Sequence, residues 1–364
     1  MGLRAVFWFS VFVIVYIYLG YPLLLWLWAR VTRRVTGKAD LKSSRNWPSI
    51  SVVIAARNEA AQLPARLENI LQVNYPGQRE IIVVSDGSTD GTAEVLSELK
   101  ADVRFVEVPA GGKPLALNAA VEVATGEILV FADARQLFSE TALVEIVANF
   151  ADAQVGGVTG ELVLDCEEPD GAASTIGDGM SLYWKYEKWL RRNESAVWST
   201  LGATGAIYAL RRSLWQPLPA DTLLDDVLAP MRVVLSGHRV VFDDRARAYD
   251  RTSADAPTEA RRKIRTLAGN YQILAQEPKL LIPFVNPVWL QYMSHKVGRL
   301  LVPWALVFAF VTSVALAPSH WFFTLVLSAQ AAFYLLAGFG AALDVRDRKA
   351  VGGFSKALPV LLDK

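Results

Sequence analysis

The 364-residue chain carries 37 basic and 36 acidic side chains, a net charge of +1, which argues against a nucleic-acid binder. Its apolar fraction of 52%, its 11 tryptophans and its positive mean hydropathy exceed the range of an ordinary water-soluble domain. A single cysteine, Cys166, excludes an internal disulfide and a cysteine-rich metal site, and is compatible with a reducing cytosol.

Between Ala5 and Ala29 no side chain is charged. At ~1.5 Å per helical residue this stretch can cross a hydrocarbon core. The h-region of a cleaved signal peptide would be shorter, and no small-residue cleavage site follows, so the reading is a retained membrane helix. Arg30, Arg33, Arg34, Lys38, Lys42 and Arg45 follow, against one acid, Asp40. The positive-inside rule places this flank, and the domain after it, in the cytosol.

From Trp47 short apolar runs alternate with amphipathic segments: SISVVIAA, ARLENILQV, EIIVVSD, TAEVLSELK, VRFVEV, KPLALNAAVEVA and ILVFAD. That alternation predicts βαβ units and a parallel sheet. Right-handed crossovers gather the strand ends on one edge, where α/β proteins bind ligands. Four polar clusters fall there: Arg57-Asn58-Glu59, Asp86-Gly87-Ser88-Thr89-Asp90, Gly111-Gly112-Lys113 and Asp133-Ala134-Arg135. Taken singly each has a bland account. Asn58 or Glu59 would suit a turn, and Ser88 or Asp90 would suit a helix cap. Gly-Gly-Lys is no phosphate loop, and no GxGxxG follows the first strand. Together they offer a carboxylate for a nucleoside, a lysine for phosphate charge and, in Asp133 after the buried run ILVFA, a carboxylate for a divalent metal. That is a nucleotide-diphosphate site without a phosphate loop.

TGEL at 159–162 sets a glycine among apolar residues, as in a strand that approaches a ligand closely. In LYWKYEKWLRRNES, Leu182, Tyr186, Trp189 and Leu190 recur at helical spacing. This helix either packs on the domain or walls an acceptor channel. The glycines of GATG, 202–205, permit close backbone approach to a substrate. Asp225-Asp226 opens the next amphipathic run. The pair either favours a helix dipole or supplies a general base whose proton affinity its neighbour raises. ARRKIRTLAGNYQ is basic enough to meet lipid headgroups, and Arg262 and Arg265 are candidates to reach a diphosphate. LLIPFVNPVWLQYM, with its prolines and aromatics, suits an interfacial segment. His295, in SHK, suits a structural or headgroup role better than metal ligation. Between Arg299 and Asp344 only His320 is potentially charged, predicting spans at about Leu300–Ala317 and Trp321–Leu343 joined by a tight turn. Arg346, Arg348 and Lys349 return the chain to the cytosolic side.

VVSDGSTDGT, GGKPLALNAA and LDDVLAPMRVVLSGHRVV, in this order and before a basic segment, resemble the membrane-embedded family-2 inverting glycosyltransferases. That group contains the cellulose, hyaluronan and poly-N-acetylglucosamine synthases. The resemblance implies an α/β fold of the GT-A type, with a mainly parallel nucleotide-sugar-binding sheet flanked by transmembrane helices. It divides the chain into a membrane helix with basic flank (1–46), a cytosolic transferase domain (47–275), an interfacial segment (276–298) and two membrane helices with a short tail (299–364). The donor it implies is a nucleotide-diphospho-sugar, most often a UDP-sugar. Glu59 and Asp86 take the nucleoside-contacting positions, with Arg57 beside them. Lys113 lies near the diphosphate and Asp133 begins the DxD-like motif for Mg2+ or Mn2+. Asp226 is the base, with Asp225 before it.

Two positions depart from the family. Arg135 replaces the second DxD carboxylate and could itself neutralise phosphate charge. Of QxxRW, which falls on 262–266, only Arg265 remains, which with so few spans speaks against processive polymer synthesis. The function implied is sugar transfer to a hydroxyl, on a saccharide or lipid-linked acceptor, at the cytosolic face of the inner (plasma) membrane, in polysaccharide or glycolipid synthesis. Membrane lipid and polysaccharide-assembly proteins are the further partners, and nucleic acid is not one. The alternatives are transfer to a polyprenyl phosphate, and a catalytically silent nucleotide-binding scaffold.

Overall fold

The computed structural model describes residues 2–32, 46–98, 103–164, 175–250 and 256–339, without the side chains of 97–98, 175–182 and 256–260. The basic flank from Arg33 to Arg45, Cys166, and the tail with Arg346, Arg348 and Lys349 lie outside the described residues. The chain divides into two compact units. One comprises 21–297, and the other combines 1–20 with 298–364.

The 21–297 unit begins with α2 (Tyr21–Thr32), which comes after α1 (Gly2–Val15) in the chain. It then follows the expected alternation: β1 (Ile50–Ala56), α3 (Leu63–Gln72), β2 (Arg79–Asp86), α4 (Thr92–Glu98), β3 (Val103–Val108), α5 (Lys113–Val123) and β4 (Ile128–Ala132). Next come β5 (Leu137–Phe138), α6 (Ala142–Ala148), β6 (Val155–Leu164), α7 (Thr175–Val197), β7 (Ile207–Arg211), α8 (Asp225–Leu235), β8 (Arg239–Asp250) and α9 (Ala256–Gln276). A single turn, α10 (Trp289–Gln291), leads into a π-helical stretch, Tyr292–Val297.

The eight strands form one sheet ordered β3-β2-β1-β4-β7-β6-β8-β5. The first four are parallel, as the β-branched runs predict. Beyond β4 the sheet is mixed, because β7 pairs antiparallel with both β4 and β6 while β6 and β8 run parallel. Alternate residues of the central strands serve opposite faces. Val52, Ile54, Ile81 and Val130 pack on Leu67 and Ile70 of α3 and on Ile146 of α6. Val53, Ile82, Leu129 and Phe131 pack on Leu117 of α5, Leu228 of α8 and Ile273 of α9. Each such fully buried aliphatic contributes ~1.5–3 kcal/mol.

The order 3-2-1-4 reverses direction between β1 and β4. At such a switch point the helices leave on opposite faces and a crevice opens beyond the strand ends. The first and last of the four polar clusters follow these two strands. Gly160, in TGEL, makes its close approach to a neighbouring strand. A Cβ there would lie 2.3 Å from the Ala246 carbonyl oxygen, so the glycine permits close contact with β8.

On α7, Leu190 is buried as the helical spacing predicts, and Glu187 and Glu194 are buried with it. Glu194 Oε1 accepts the Tyr21 hydroxyl (3.1 Å) and lies 2.6 Å from His295 Nδ1, while Glu187 Oε2 is 3.6 Å from His295 Nε2. His295 is therefore part of an internal polar network.

The other unit pairs α1 with α11 (Gly298–Leu316) and adds α12 (Trp321–Phe339). Phe7, Leu316 and Phe323 form its small core. Three helical runs, Gly2–Thr32, Trp289–Ser319 and Trp321–Phe339, are long and apolar enough to cross a membrane.

Candidate active site

The β1 and β2 loops are stapled to one another before any charged group is placed. Asn58 adopts a left-handed backbone (φ 56°), its Oδ1 accepts the Thr89 N–H (2.8 Å), and its own N–H donates to Ser88 Oγ (3.1 Å). Asp90 accepts the Thr92 and Ala60 N–H groups. The turn reading thus holds for Asn58 and the cap reading for Asp90, while Ser88 staples the two loops instead of capping α4, and these hydrogen bonds set the rim of the crevice.

Asp86 is buried at the end of β2 and accepts the N–H groups of Gly111 (2.6 Å) and Gly112 (3.0 Å). Gly112 has φ +95°, a conformation that a side chain would strain. The carboxylate thereby shapes the turn that starts α5 with Lys113. The exposed Arg57 guanidinium stands 3.6 Å from Asp86.

Lys113 Nζ lies 3.0 Å from Asp133 Oδ1 and 3.2 Å from Asp225 Oδ2. Burial alone would lower the lysine's pKa, but Asp225, Asp133 and Asp226 outweigh it and raise it above the ordinary value. Asp226, in the first turn of α8, accepts the Gly205 N–H at Oδ2 (3.2 Å). The GATG loop closes on this helix start, with Ala203 N donating to the Asp226 carbonyl (2.7 Å). A Cβ on Gly205 would sit 3.5 Å from both Asp133 and Asp226 carboxylate oxygens and 3.7 Å from Lys113 Nζ. Three side chains from α5, the β4 end and α8 therefore converge on one glycine. Burial, then Asp225, then Asp133 push the Asp226 carboxyl up to about 6, against the opposing pull of Lys113 and Lys296. A carboxylate so placed can accept a proton near neutral pH.

Glu59 is half-buried and its pKa is raised by burial and by Asp133 and Asp90, against Arg135. It thus belongs to the electrostatic neighbourhood of the β4 loop. Arg135 itself pairs with Asp250 (3.0 Å), which also accepts from Gln136 Nε2 (2.9 Å). Arg265 is exposed on α9 and forms no ion pair among the described residues. Arg262 is half-exposed on the same helix.

Gly205, the second glycine of the GATG segment, is the point of convergence. Three participants are not apparent in the sequence, of which Asp250 engages Arg135 and Lys296 acts on Asp226. Arg66, on α3, is fully buried with its guanidinium 4.0 Å over the Phe138 ring. It donates to Asn69 Oδ1 (2.9 Å), while its Nε and Nη2 have no hydrogen-bond partner among the described residues. Burial lowers its pKa to about 9, offset by Asp133. An arginine in ARLENILQV reads as the polar side of a helix, so no signal marks it.

No group of three or more His, Cys, Asp or Glu side chains among the described residues is arranged to hold a metal ion. Asp133 Oδ1 faces an ammonium, however, so its position already suits a cation. Mg2+ and related ions accept one protein carboxylate when substrate phosphate oxygens supply further ligands, and the site fits a metal on those terms.

The sequence profile described as glycosyltransferase like family 2 matches residues 48–269. The poly-beta-1,6-N-acetyl-D-glucosamine synthase of Staphylococcus epidermidis is 23% identical over 236 residues, 63% of this chain and 56% of that protein. The chain thus spans little more than half the length of this relative. The beta-monoglucosyldiacylglycerol synthase of Nostoc sp. is 33% identical over 118 residues, 30% of this chain and 25% of that protein. The mannosyltransferase PcManGT of Pyrobaculum calidifontis, solved in complex with GDP-Man and Mn2+, superposes with a TM-score of 0.70 over 92% of both chains at 24% identity. That likeness establishes a common fold.

Proposed function

The chain belongs to the family-2 glycosyltransferases, and from that premise we propose that it is an inverting transferase acting at the cytosolic face of a membrane. It moves a sugar from a nucleotide-diphospho-sugar, by its family resemblance a UDP-sugar, to the hydroxyl of a saccharide or lipid-linked acceptor. The observation that carries this reading is the convergence of Lys113, Asp133 and Asp226 at Gly205.

In the proposed reaction Asp226, ionised, takes the proton of the acceptor hydroxyl. The oxygen forms a bond to the anomeric carbon as the bond from that carbon to the diphosphate breaks. The nucleoside diphosphate leaves with the electron pair on the opposite face, so configuration inverts. The Asp225 carboxylate beside Asp226 keeps the proton affinity of the base high. Lys113 places a fixed positive charge where charge grows on the leaving group. Glu59, Asp86 and Arg57 line the nucleoside end, and Arg135, Arg262 and Arg265 border the diphosphate. Asp133 would hold Mg2+ or Mn2+, which when bound supplies Lewis-acid stabilisation of the departing diphosphate. PcManGT, with GDP-Man and Mn2+, is a precedent for metal use on this fold.

A second reading is transfer to a polyprenyl phosphate. The positive charge of Lys296, which acts on Asp226, accords with it, since a cation near the base position suits an anionic nucleophile that needs no base.

The test is a screen of labelled UDP- and GDP-sugars with the full-length protein in nanodiscs, with and without Mn2+ or Mg2+. Hydroxyl and polyprenyl-phosphate acceptors are offered separately, and products are read by mass spectrometry. The proposal expects an inverted glycosidic product that Asp226→Asn abolishes. A sugar phosphate that survives Asp226→Asn selects the second reading. Nucleotide binding without turnover of any donor makes the protein a scaffold.

A further inference from the structure

The segment GATGAIYALRR places Tyr208 in β7, three residues past the glycine on which the site converges. In the sheet it stands beside Phe131 of β4, and the two rings stack with centroids 4.6 Å apart. Phe131 stacks in turn on Trp215 (5.2 Å). Tyr208 therefore lies on the face of the sheet that α5 and α8 cover. The first turns of those two helices carry Lys113 and the pair Asp225-Asp226. At 1% exposure, the stacked phenol cannot turn its hydroxyl to water.

The Tyr208 hydroxyl is buried and has no hydrogen-bond partner among the described residues. A hydroxyl removed from water without a compensating bond is costly, and few proteins leave one so. Phenylalanine would fill the same stack without that cost. A second buried oxygen at the site, Asp225 Oδ2, also lacks a hydrogen bond among the described residues, and has Lys113 Nζ at 3.2 Å as its ion-pair partner. A phenol has one hydrogen to donate, and a carboxylate oxygen accepts. Burial, then the charges of Asp225, Asp226 and Asp133, hold the phenol's pKa well above its ordinary value, so its proton stays in place. Asp225 is foremost among those charges.

Three anions compete for Lys113. Asp133 (3.0 Å) and Asp225 hold it in the structure, and a donor diphosphate is the third. A lysine that turns to phosphate leaves the buried Asp225 carboxylate without its cation, which is costly unless another donor takes its place.

We propose that Tyr208 is a positioning residue: when Lys113 leaves Asp225 for the phosphates of a nucleoside diphosphate, the Tyr208 hydroxyl donates to Asp225 Oδ2 and keeps the Asp225-Asp226 pair in place. The proposal rests on the reading of Lys113 as the phosphate-binding cation. While Lys113 stays on Asp225, the hydroxyl stands unpaired.

The test uses the full-length protein in nanodiscs, with a fluorotyrosine placed at position 208 for fluorine NMR and UDP with Mg2+ as the probe. The resonance should move when UDP and Mg2+ are added. Lys113→Met should move it in the same direction without nucleotide, and Asp225→Ala should abolish both movements. In calorimetric titrations Tyr208→Phe should weaken UDP–Mg2+ binding about tenfold, the loss of a hydrogen bond to a charged group. It should weaken it no further in a Lys113→Met background, where the hydroxyl is on Asp225 with or without nucleotide. Thermal unfolding gives an independent reading. Tyr208→Phe alone should unfold no lower than wild type, but should lower Tm by about 3–6 °C once Lys113→Met is present. A resonance indifferent to Lys113→Met overturns the proposal. So does a UDP-induced movement that survives Asp225→Ala, and so does an equal loss of UDP affinity from Tyr208→Phe with and without Lys113. If UDP and Mg2+ bind to no form of the protein, the donor reading of Lys113 fails, and the response to Lys113→Met alone decides for or against the pairing of Tyr208 with Asp225.

Discussion

Replacing Asp226 by Asn separates the chemical role of this carboxylate from its structural cost. The substitution keeps shape and the hydrogen bond from the Gly205 N–H, but removes the charge and the basic site. A positioned general base contributes ~10²–10⁴ in rate, about 3–5 kcal/mol of barrier. With a saturating hydroxyl acceptor, kcat should fall by that factor. The wild-type kcat/KM should climb about tenfold per pH unit below the Asp226 pKa of about 6 and level off above it, because the base works deprotonated. Asp226→Asn should lack that limb.

Stability should move the other way. The folded pKa of about 6 lies above the ~3.9 of an unfolded aspartate. Between these values the unfolded chain binds fewer protons than the folded one, so stability falls as pH rises through the window and stays lower above it. Two pKa units correspond to ~3 kcal/mol, with the attraction of Lys113 already counted in the shift, so a gain of up to about 3 kcal/mol is expected for the variant at pH 7.5. Thermal unfolding across pH 4–8 and initial rates over the same range form the assay. A variant within tenfold of wild type on a hydroxyl acceptor, or a wild-type profile flat from pH 5 to 8, refutes the assignment.

Gly205→Ala should fold with stability within about 0.5 kcal/mol of wild type, because its methyl meets neighbours at 3.5–3.7 Å. Turnover should drop at least tenfold, since the methyl fills the point where Asp133, Asp226 and Lys113 meet. Arg66→Met removes a buried guanidinium with no acidic partner within hydrogen-bond reach, so denaturant unfolding should show a gain of ~1–3 kcal/mol at pH 7. Donor turnover should fall, as Asp133 loses a positive charge behind it. Arg135→Asp breaks the pair with Asp250 and completes a DxD sequence. Calorimetric titration should show tighter Mn2+ binding, and Tm should fall.

The parallel half of the sheet is legible because β1, β2 and β4 are runs of β-branched residues buried on both faces. The antiparallel half is not. β8, RVVFDDRARAYD, alternates charged with apolar residues and pairs with β6 and β5, which lie far from it in the chain. Its partners are set by the tertiary fold, which overrides local propensity. The same holds for the site. Lys113, Asp133, Asp225 and Asp226 are legible because each stands at the end of a strand or the start of a helix. Arg66 and Asp250 act on the β4 loop from elements whose sequence carries no trace of that contact. Asp86 is the instructive middle case. Its place at the strand end is readable, but its carboxylate is engaged by two glycine N–H groups, so it contributes by fixing the lysine's turn.

Charge balance decides what Arg135 can contribute. Asp133, Asp225 and Asp226 face Lys113, with Lys296 acting on the same cluster. A donor diphosphate adds about two further negative charges, and at ~4 Å and an effective dielectric of ~20 each unscreened pair costs about 4 kcal/mol. Arg135 stands where the family carries a carboxylate, yet Asp250 lies 3.0 Å from its guanidinium and already offsets its charge. Moving the arginine to phosphate would leave the buried Asp250 carboxylate with Gln136 as its neutral partner. The arginine therefore relieves the deficit only in part, and turnover should still rise steeply with added Mn2+ or Mg2+. Neutralising Asp250 with Asn frees Arg135 and should lower the metal concentration at half-maximal rate. An unchanged metal dependence in Asp250→Asn would show that Arg135 stands outside the phosphate's reach.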